Sequence, residues 1–182
     1  SHRLYQDITK NGGNAVMWKT GHSLIKSKMK ELKAMLAGEM SGHIFFADRW
    51  YGFDDAIYSS ARLYEIAASS NAPVSSLISD LKPMKATPEI RLDCEEEKKF
   101  DLVSATSRIL SGNKDFKLNT IDGIRIDAAD AWGLARASNT QPVIVLRFEA
   151  ESDQRLKDVQ GIVLGALNAA AKEVKHAQFT LE

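Results

Sequence analysis

The chain has 182 residues, with 24 Lys and Arg balanced by 24 Asp and Glu, so its formal net charge is zero. It is 44% hydrophobic and 26% charged, the usage of a folded globular protein and not of a disordered one. Charge balance argues against a nucleic-acid binder, and no apolar run reaches the ~20 residues that cross a bilayer.

Arg3 to Lys10 reads as a short helix stopped by Gly12-Gly13, where glycine accepts a left-handed helix end. The apolar run Ala15-Val16-Met17-Trp18 predicts a strand. A turn at Thr20-Gly21 leads into a helix from Leu24 to Leu32, whose Lys26, Lys28, Lys30 and Lys33 form a solvated face. Met35-Leu36-Ala37 and Ile44-Phe45-Phe46 predict further strands, separated by a polar loop over Gly38 to Gly42. Asp54-Asp55 opens a helix reaching Ser69, since carboxylates suit the positive end of a helix dipole. Pro73 ends that stretch, and Val74 to Leu81 reads as one more short helix. The rhythm predicts an α/β layer.

Lys82 to Pro88 holds two prolines and no periodicity, and is read as a linker. The expected domains are therefore 1–82 and 89–182, joined by 83–88. Beyond the linker, Glu89 to Asp93 alternates like a strand, and Glu95 to Leu110 is a helix with Phe100, Val103 and Leu110 on one face. Asp122-Gly123 between two apolar runs is a hairpin signal. Ala131 to Ala135 and Pro142 to Ala150 follow as strands. Leu156, Val159, Val163, Leu167, Ala170 and Val174 then mark a long closing helix. The order β-α-β-β-β-α predicts an α+β unit, a mostly antiparallel sheet with two helices on one face.

Two polar loops interrupt the apolar strands. In Gly38-Glu39-Met40-Ser41-Gly42-His43, a carboxylate, a hydroxyl and an imidazole occupy alternate positions, which point the same way in extended backbone. Glu39, Ser41 and His43 could converge on vicinal sugar hydroxyls, which need acceptors when buried. In Arg136-Ala137-Ser138-Asn139-Thr140, one guanidinium, two hydroxyls and an amide make an oxyanion cradle. From spacing alone, an ordinary surface turn and a polar hairpin with Asn at its tip are the competing readings. His22 sits between strand and helix, where it could meet a phosphate, move a proton or simply pack. His2 and His176 lie near the chain ends, and the four histidines and Cys94 show no zinc spacing. No Walker loop and no GxGxxG is present. A lone cysteine cannot close an intrachain disulfide, so a reducing cytoplasm is the expected compartment.

Long motifs carry a resemblance. Asn11-Gly-Gly-Asn-Ala-Val-Met-Trp-Lys-Thr-Gly-His-Ser-Leu-Ile-Lys26, Ala37-Gly-Glu-Met-Ser-Gly-His43 and Tyr51-Gly-Phe-Asp-Asp-Ala-Ile-Tyr58 resemble the bacterial phosphomannomutase/phosphoglucomutase branch of the α-D-phosphohexomutases. Gly133-Leu-Ala-Arg-Ala-Ser-Asn-Thr-Gln-Pro142 and Val145-Leu-Arg-Phe-Glu-Ala150 are similar to its C-terminal phosphate loop and the strand after it. The resemblance implies part of an α/β three-layer third domain followed by a TATA-binding-protein-like fourth domain. It implies interconversion of hexose 1-phosphate and 6-phosphate through a phosphoserine and a 1,6-bisphosphate, with Mg²⁺ as cofactor and glucose 1,6-bisphosphate as activator. Glu39 and Ser41 would hold sugar hydroxyls, and His22 and His43 would line the same cleft. Arg136, Ser138, Asn139 and Thr140 would hold the non-reacting phosphate. Hexose phosphates and the enzyme's N-terminal domains are the implied partners, with no nucleic acid and no membrane. The family's Thr-Ala-Ser-His-Asn-Pro phosphoserine loop and Asp-Gly-Asp-x-Asp metal loop do not occur here, so the fragment is expected to be inactive alone. A non-catalytic sugar-phosphate binding module and a mutase for amino-sugar phosphates are the alternatives.

Overall fold

The computed structural model describes residues 1–181 and separates into two compact units, one spanning His2–Lys82 and the other running from Pro83 onward together with Ser1. The first unit contains three helices, α1 (His2–Lys10), α2 (His22–Leu32) and α3 (Ala56–Ser69), and two strands, β1 (Leu36–Gly38) and β2 (Ile44–Phe46). The strands pair antiparallel, with Leu36 opposite Phe46 and Gly38 opposite Ile44. Its small core gathers Ile25 and Met29 of α2 around Phe45 of β2. Asp55 caps α3 by accepting a hydrogen bond from Tyr58 N–H at 2.9 Å, as the paired carboxylates suggested. A 3₁₀ turn occupies Val74–Ile78 in place of the expected helix to Leu81.

Ala15–Trp18 is not a strand. A strand exists only through its ladder, and no strand among the described residues pairs with this run. Val16 and Trp18 are exposed, and Lys28 Nζ lies 4.2 Å over the Trp18 ring.

The second unit is the antiparallel sheet with two helices that the sequence predicts. Its strands are β3 (Lys85–Ala86), β4 (Ile90–Asp93), β5 (Lys117–Asn119), β6 (Ile124–Asp127), β7 (Ala131–Ala137) and β8 (Val143–Ala150), with helices α4 (Lys99–Leu110) and α5 (Asp153–Glu173). Strands 8, 7, 6 and 5 lie side by side, and β3 and β4 share the other edge of β8. Alternation along the strands sends Ile124, Ile126, Ala135, Ile144, Leu146 and Phe148 into one core with α4 and α5. The closing helix buries Val159, Val163, Leu167 and Ala170, the stripe read from its 3.6-residue period.

Three expectations are corrected here. The presumed linker carries an edge strand. Thr87 N–H donates to Phe148 O at 3.1 Å and Thr87 Oγ1 accepts from Phe148 N–H at 3.2 Å. The ladder breaks beside Pro88, which has no N–H to donate. The fourth helix starts at Lys99, not Glu95, because Glu95 to Lys98 form a turn in which Lys98 and Lys99 N–H both donate to Glu95 O. Its buried face holds Lys99, Leu102, Val103, Ala105, Thr106 and Leu110, whereas Phe100 is 57% exposed. The Lys99 ammonium is buried because it is paired, 2.6 Å from Glu96 Oε1 and donating to Gln141 O at 3.3 Å.

Cys94 is buried at the end of β4, and burial, reinforced by Glu95, pushes its thiol up to about 11. At pH 8 its thiolate fraction is roughly a hundredfold below that of a free cysteine. Ellman's reagent is therefore expected to label the folded chain slowly and the urea-unfolded chain within mixing time; equally rapid labelling of both would contradict the burial.

Candidate functional site: a carboxylate–imidazole cluster and an arginine-led loop

The β1–β2 connection forms the first site. Glu39 N–H donates to His43 O at 2.9 Å and Gly42 N–H to Glu39 O at 3.0 Å, with Gly42 at φ 97°, left-handed backbone that suits glycine. The Glu39 carboxylate turns toward the start of α2. Its Oε1 accepts from Gly21 N–H at 2.9 Å, and its Oε2 accepts from Ser41 Oγ at 3.1 Å. A carboxylate is favoured at the positive end of the helix, which gives Glu39 a fixed orientation with lone pairs to spare.

His22 opens α2, and its ring centroid lies 4.5 Å from that of His43 and 5.3 Å from that of Phe45. His43 Nδ1 is 2.7 Å from Asp54 Oδ2. A carboxylate only accepts, so Nδ1 carries the proton and Nε2 is left bare in the neutral ring. Asp54 Oδ1 also accepts from Ile44 N–H at 3.0 Å. The His43 hydrogen bond, with smaller help from Ile44 N–H and His22, holds the Asp54 carboxyl below the ordinary aspartate range. That interaction supports folding above the normal aspartate pKa and is lost as pH falls through the lowered one.

The structure thus brings Glu39, Ser41, His43 and His22 together. The His22, Glu39 and His43 ligand atoms all lie within 4.8 Å of one another. Sequence reasoning placed Asp54 in the first turn of α3 and missed its bond to His43; the bridge between Phe45 and Asp54 is the contact that aligns them. Asp55, its neighbour, is the helix cap.

The second site lies on the last hairpin of the sheet. Along β7, Ala131, Ala135 and Ala137 join the core, so Arg136 projects from the face away from the helices. The turn after it is built around Ser138. That hydroxyl oxygen accepts from Thr140 N–H at 3.3 Å and from Gln141 N–H at 3.2 Å, and Ser138 N–H donates to Val143 O at 3.0 Å. Ser138 is buried, while Asn139 and Thr140 are exposed. The backbone N–H groups of Thr140 and Gln141 are therefore spent on shaping the turn, and the Ser138 hydroxyl keeps only its proton to donate. The far side of the turn is anchored by Lys99 on Gln141 O, by Arg91 Nη1 on Gln141 Oε1 and by Cys94 N–H on Pro142 O at 2.9 Å. Arg91 and Lys99 were missed because their contact with this loop depends on long-range strand pairing. A depression of about 370 Å³ touches Asn139, Gly123 and Thr120, and Arg136 lies outside its lining.

Residues 1–84 match the family described as phosphoglucomutase/phosphomannomutase, alpha/beta/alpha domain III, and residues 89–166 match its C-terminal domain. A phosphomannomutase/phosphoglucomutase from Pseudomonas putida is 53% identical over 162 residues, covering 87% of this chain and 35% of that protein. A phosphoglucomutase from Neisseria meningitidis is 44% identical over 157 residues, covering 84% of this chain and 33% of that one. A crystal structure of a phosphoglucomutase/phosphomannomutase family protein from Burkholderia thailandensis shares 47% identity at a TM-score of 0.81, over 92% of this chain and 35% of that one. The chain spans about a third of the length of the relatives it matches. Motifs, fold and relatives agree: the chain belongs to the phosphoglucomutase/phosphomannomutase family and carries its domain III and C-terminal domain sequences.

Proposed function

We propose that this chain supplies the substrate-holding part of a phosphohexomutase that interconverts hexose 1-phosphate and hexose 6-phosphate, with mannose and glucose as the sugars. The observation that carries the reading is the Glu39 carboxylate, oriented by Gly21 N–H and Ser41 Oγ beside two imidazoles. A carboxylate fixed in this way accepts hydrogen bonds from neighbouring sugar hydroxyls without reorganising. His22 and His43 add donors, or accept a proton, at the same place. Arg136 offers a forked, permanently charged donor set to a phosphate, on a strand whose following turn is stiffened by Ser138. A mutase must hold its substrate in two opposed orientations. The sugar hydroxyls are shared by both orientations, so a carboxylate that holds them serves either one.

The cofactor of such a mutase would be Mg²⁺, with a phosphoserine as phosphoryl carrier and glucose 1,6-bisphosphate as activator. The residues here do not fit Mg²⁺, which wants an octahedron of oxygens. Among the described residues the one grouping of three or more metal-ligating side chains is His22, Glu39 and His43, and two of its three ligands are nitrogen. Neither the serine loop nor the acidic metal loop occurs in this sequence. The phosphoryl-transfer steps belong to residues this chain does not contain, and residues 1–182 alone are expected to show no mutase turnover with glucose 1,6-bisphosphate and Mg²⁺.

Binding tests the reading. Titration calorimetry of residues 1–182 with mannose 6-phosphate and glucose 6-phosphate is expected to give weak, saturable binding. A charge-assisted contact contributes about 1.5–3 kcal/mol, so Arg136→Ala should weaken it by roughly 10- to 150-fold, while Lys157→Ala, an exposed site on α5, should leave it unchanged. Glu39→Ala should weaken hexose phosphate and spare inorganic phosphate. Equal affinities for the Arg136 and Lys157 variants would overturn the phosphate assignment.

A further inference from the structure

We infer that His22, Glu39 and His43 form a binding site for a borderline divalent cation, Zn²⁺ being the best match, in a three-ligand open geometry. Two imidazoles and one carboxylate are a zinc donor set, and nitrogen donors favour Zn²⁺ over Mg²⁺ or Ca²⁺. Linear spacing hides the set, because His22 comes from the start of α2 while Glu39 and His43 flank the β1–β2 turn.

The surroundings are what point to a metal and not merely to a polar cluster. His43 Nδ1 is engaged by Asp54 Oδ2 at 2.7 Å. That is the carboxylate–histidine pairing which fixes the tautomer of a ligating ring and raises its basicity. It leaves Nε2 as the ring's unengaged lone pair. Asp54 is itself held by Ile44 N–H at 3.0 Å, and Glu39 by Gly21 N–H and Ser41 Oγ. Two of the three ligands therefore already possess an outer layer of hydrogen bonds. The third, His22, is exposed and stands edge-on to the His43 ring. Ligand atoms within 4.8 Å of one another need to close to ~3.3 Å for Zn–N and Zn–O bonds near 2.0–2.1 Å, an adjustment of the His22, Glu39 and His43 side chains that the ion itself would draw in. With three protein ligands, the fourth position is left to water.

Ion binding stands on the geometry alone. Its consequence rests on the hexose reading: an ion bound there occupies the Glu39 oxygens assigned to sugar hydroxyls, so Zn²⁺ and hexose phosphate would exclude one another.

Titrating residues 1–182 with Zn²⁺ against a chromophoric zinc indicator at pH 7.5 tests the site. One ion per chain is expected, with millimolar Mg²⁺ failing to displace it. His22→Gln, at an exposed position, should lower affinity at least tenfold, and Asp54→Asn should lower it 10- to 100-fold by removing the outer partner of His43. The double variant His2→Gln, His176→Gln should bind as the parent does. Circular dichroism confirms that each variant is folded, and His43→Gln gives a second ligand deletion should Asp54→Asn unfold. Absence of zinc binding by the parent, or undiminished binding by His22→Gln, overturns the site, as does loss of binding on removing the chain-end histidines. None of these results bears on Arg136, so failure of the ion site leaves the phosphate reading standing on its own test.

Discussion

Replacing Gly123 with alanine is expected to destabilise the second unit by about 2–5 kcal/mol. Gly123 sits in the β5–β6 turn at φ 84°, left-handed backbone, which costs a residue with a Cβ roughly 1–2 kcal/mol. Space is the larger problem. A Cβ there would stand 2.5 Å from Arg136 Cβ, 2.6 Å from Ala135 O and 2.8 Å from Arg136 Cα. Two of those neighbours are backbone atoms of β7, paired through Ile124 and Ala135 in the middle of the sheet. They cannot yield without shifting the strand, an overpacking cost of about 1–3 kcal/mol. Two of the three atoms that would be pushed belong to Arg136, so on the proposed phosphate role of that residue affinity should fall together with stability. Urea unfolding followed by circular dichroism, with phosphate titration on the still-folded fraction, reads both. A change within 0.5 kcal/mol would mean that the turn and strand do not approach so closely.

Phe148→Ala should cost about 3–5 kcal/mol, the usual range for emptying a buried aromatic site. Phe148 is fully buried on β8. Its ring fills the space left by the missing side chain of Gly133, where a Cβ would meet Phe148 Cδ1 at 2.9 Å and Val159 Cγ2 of α5 at 3.2 Å. Sheet and closing helix thus meet across one glycine and one phenylalanine, and the cavity cannot collapse without moving α5. Phe100→Ala is the companion measurement. The sequence reading assigned Phe100 to the core face of α4, yet it is 57% exposed, and a surface change of this kind stays within ~0.5 kcal/mol. Comparable losses at Phe148 and Phe100 would refute the exposed placement of Phe100 on α4.

The contrast between these phenylalanines separates what was legible in the sequence from what was not. Local signals were read well. The stripe Val159, Val163, Leu167 and Ala170 is a property of one helix and its period. The Asp122-Gly123 turn and the Asp55 cap depend on backbone preferences within a few residues. Glu39, Ser41 and His43 stand out as candidates because they alternate inside one short connection, and Arg136 because it heads a polar turn between apolar strands.

What the amino-acid order determined, then, is features such as the Asp55 cap, the Asp122-Gly123 turn and the α5 stripe, whose cause lies within a turn or two of chain. Tertiary structure alone decided the rest. Ala15–Trp18 has the composition of a strand but no ladder partner, while Lys85–Ala86 has the composition of a linker and finds one on β8. Lys99 lies on the buried face of α4 and Phe100 does not, with Glu96 and Gln141 O meeting the Lys99 charge. His22 reached His43, and Asp54 reached His43 Nδ1, only once β1, β2 and the start of α2 had come together. Strand pairing and burial of charge are settled by partners far away in sequence, and no local pattern encodes which partner arrives.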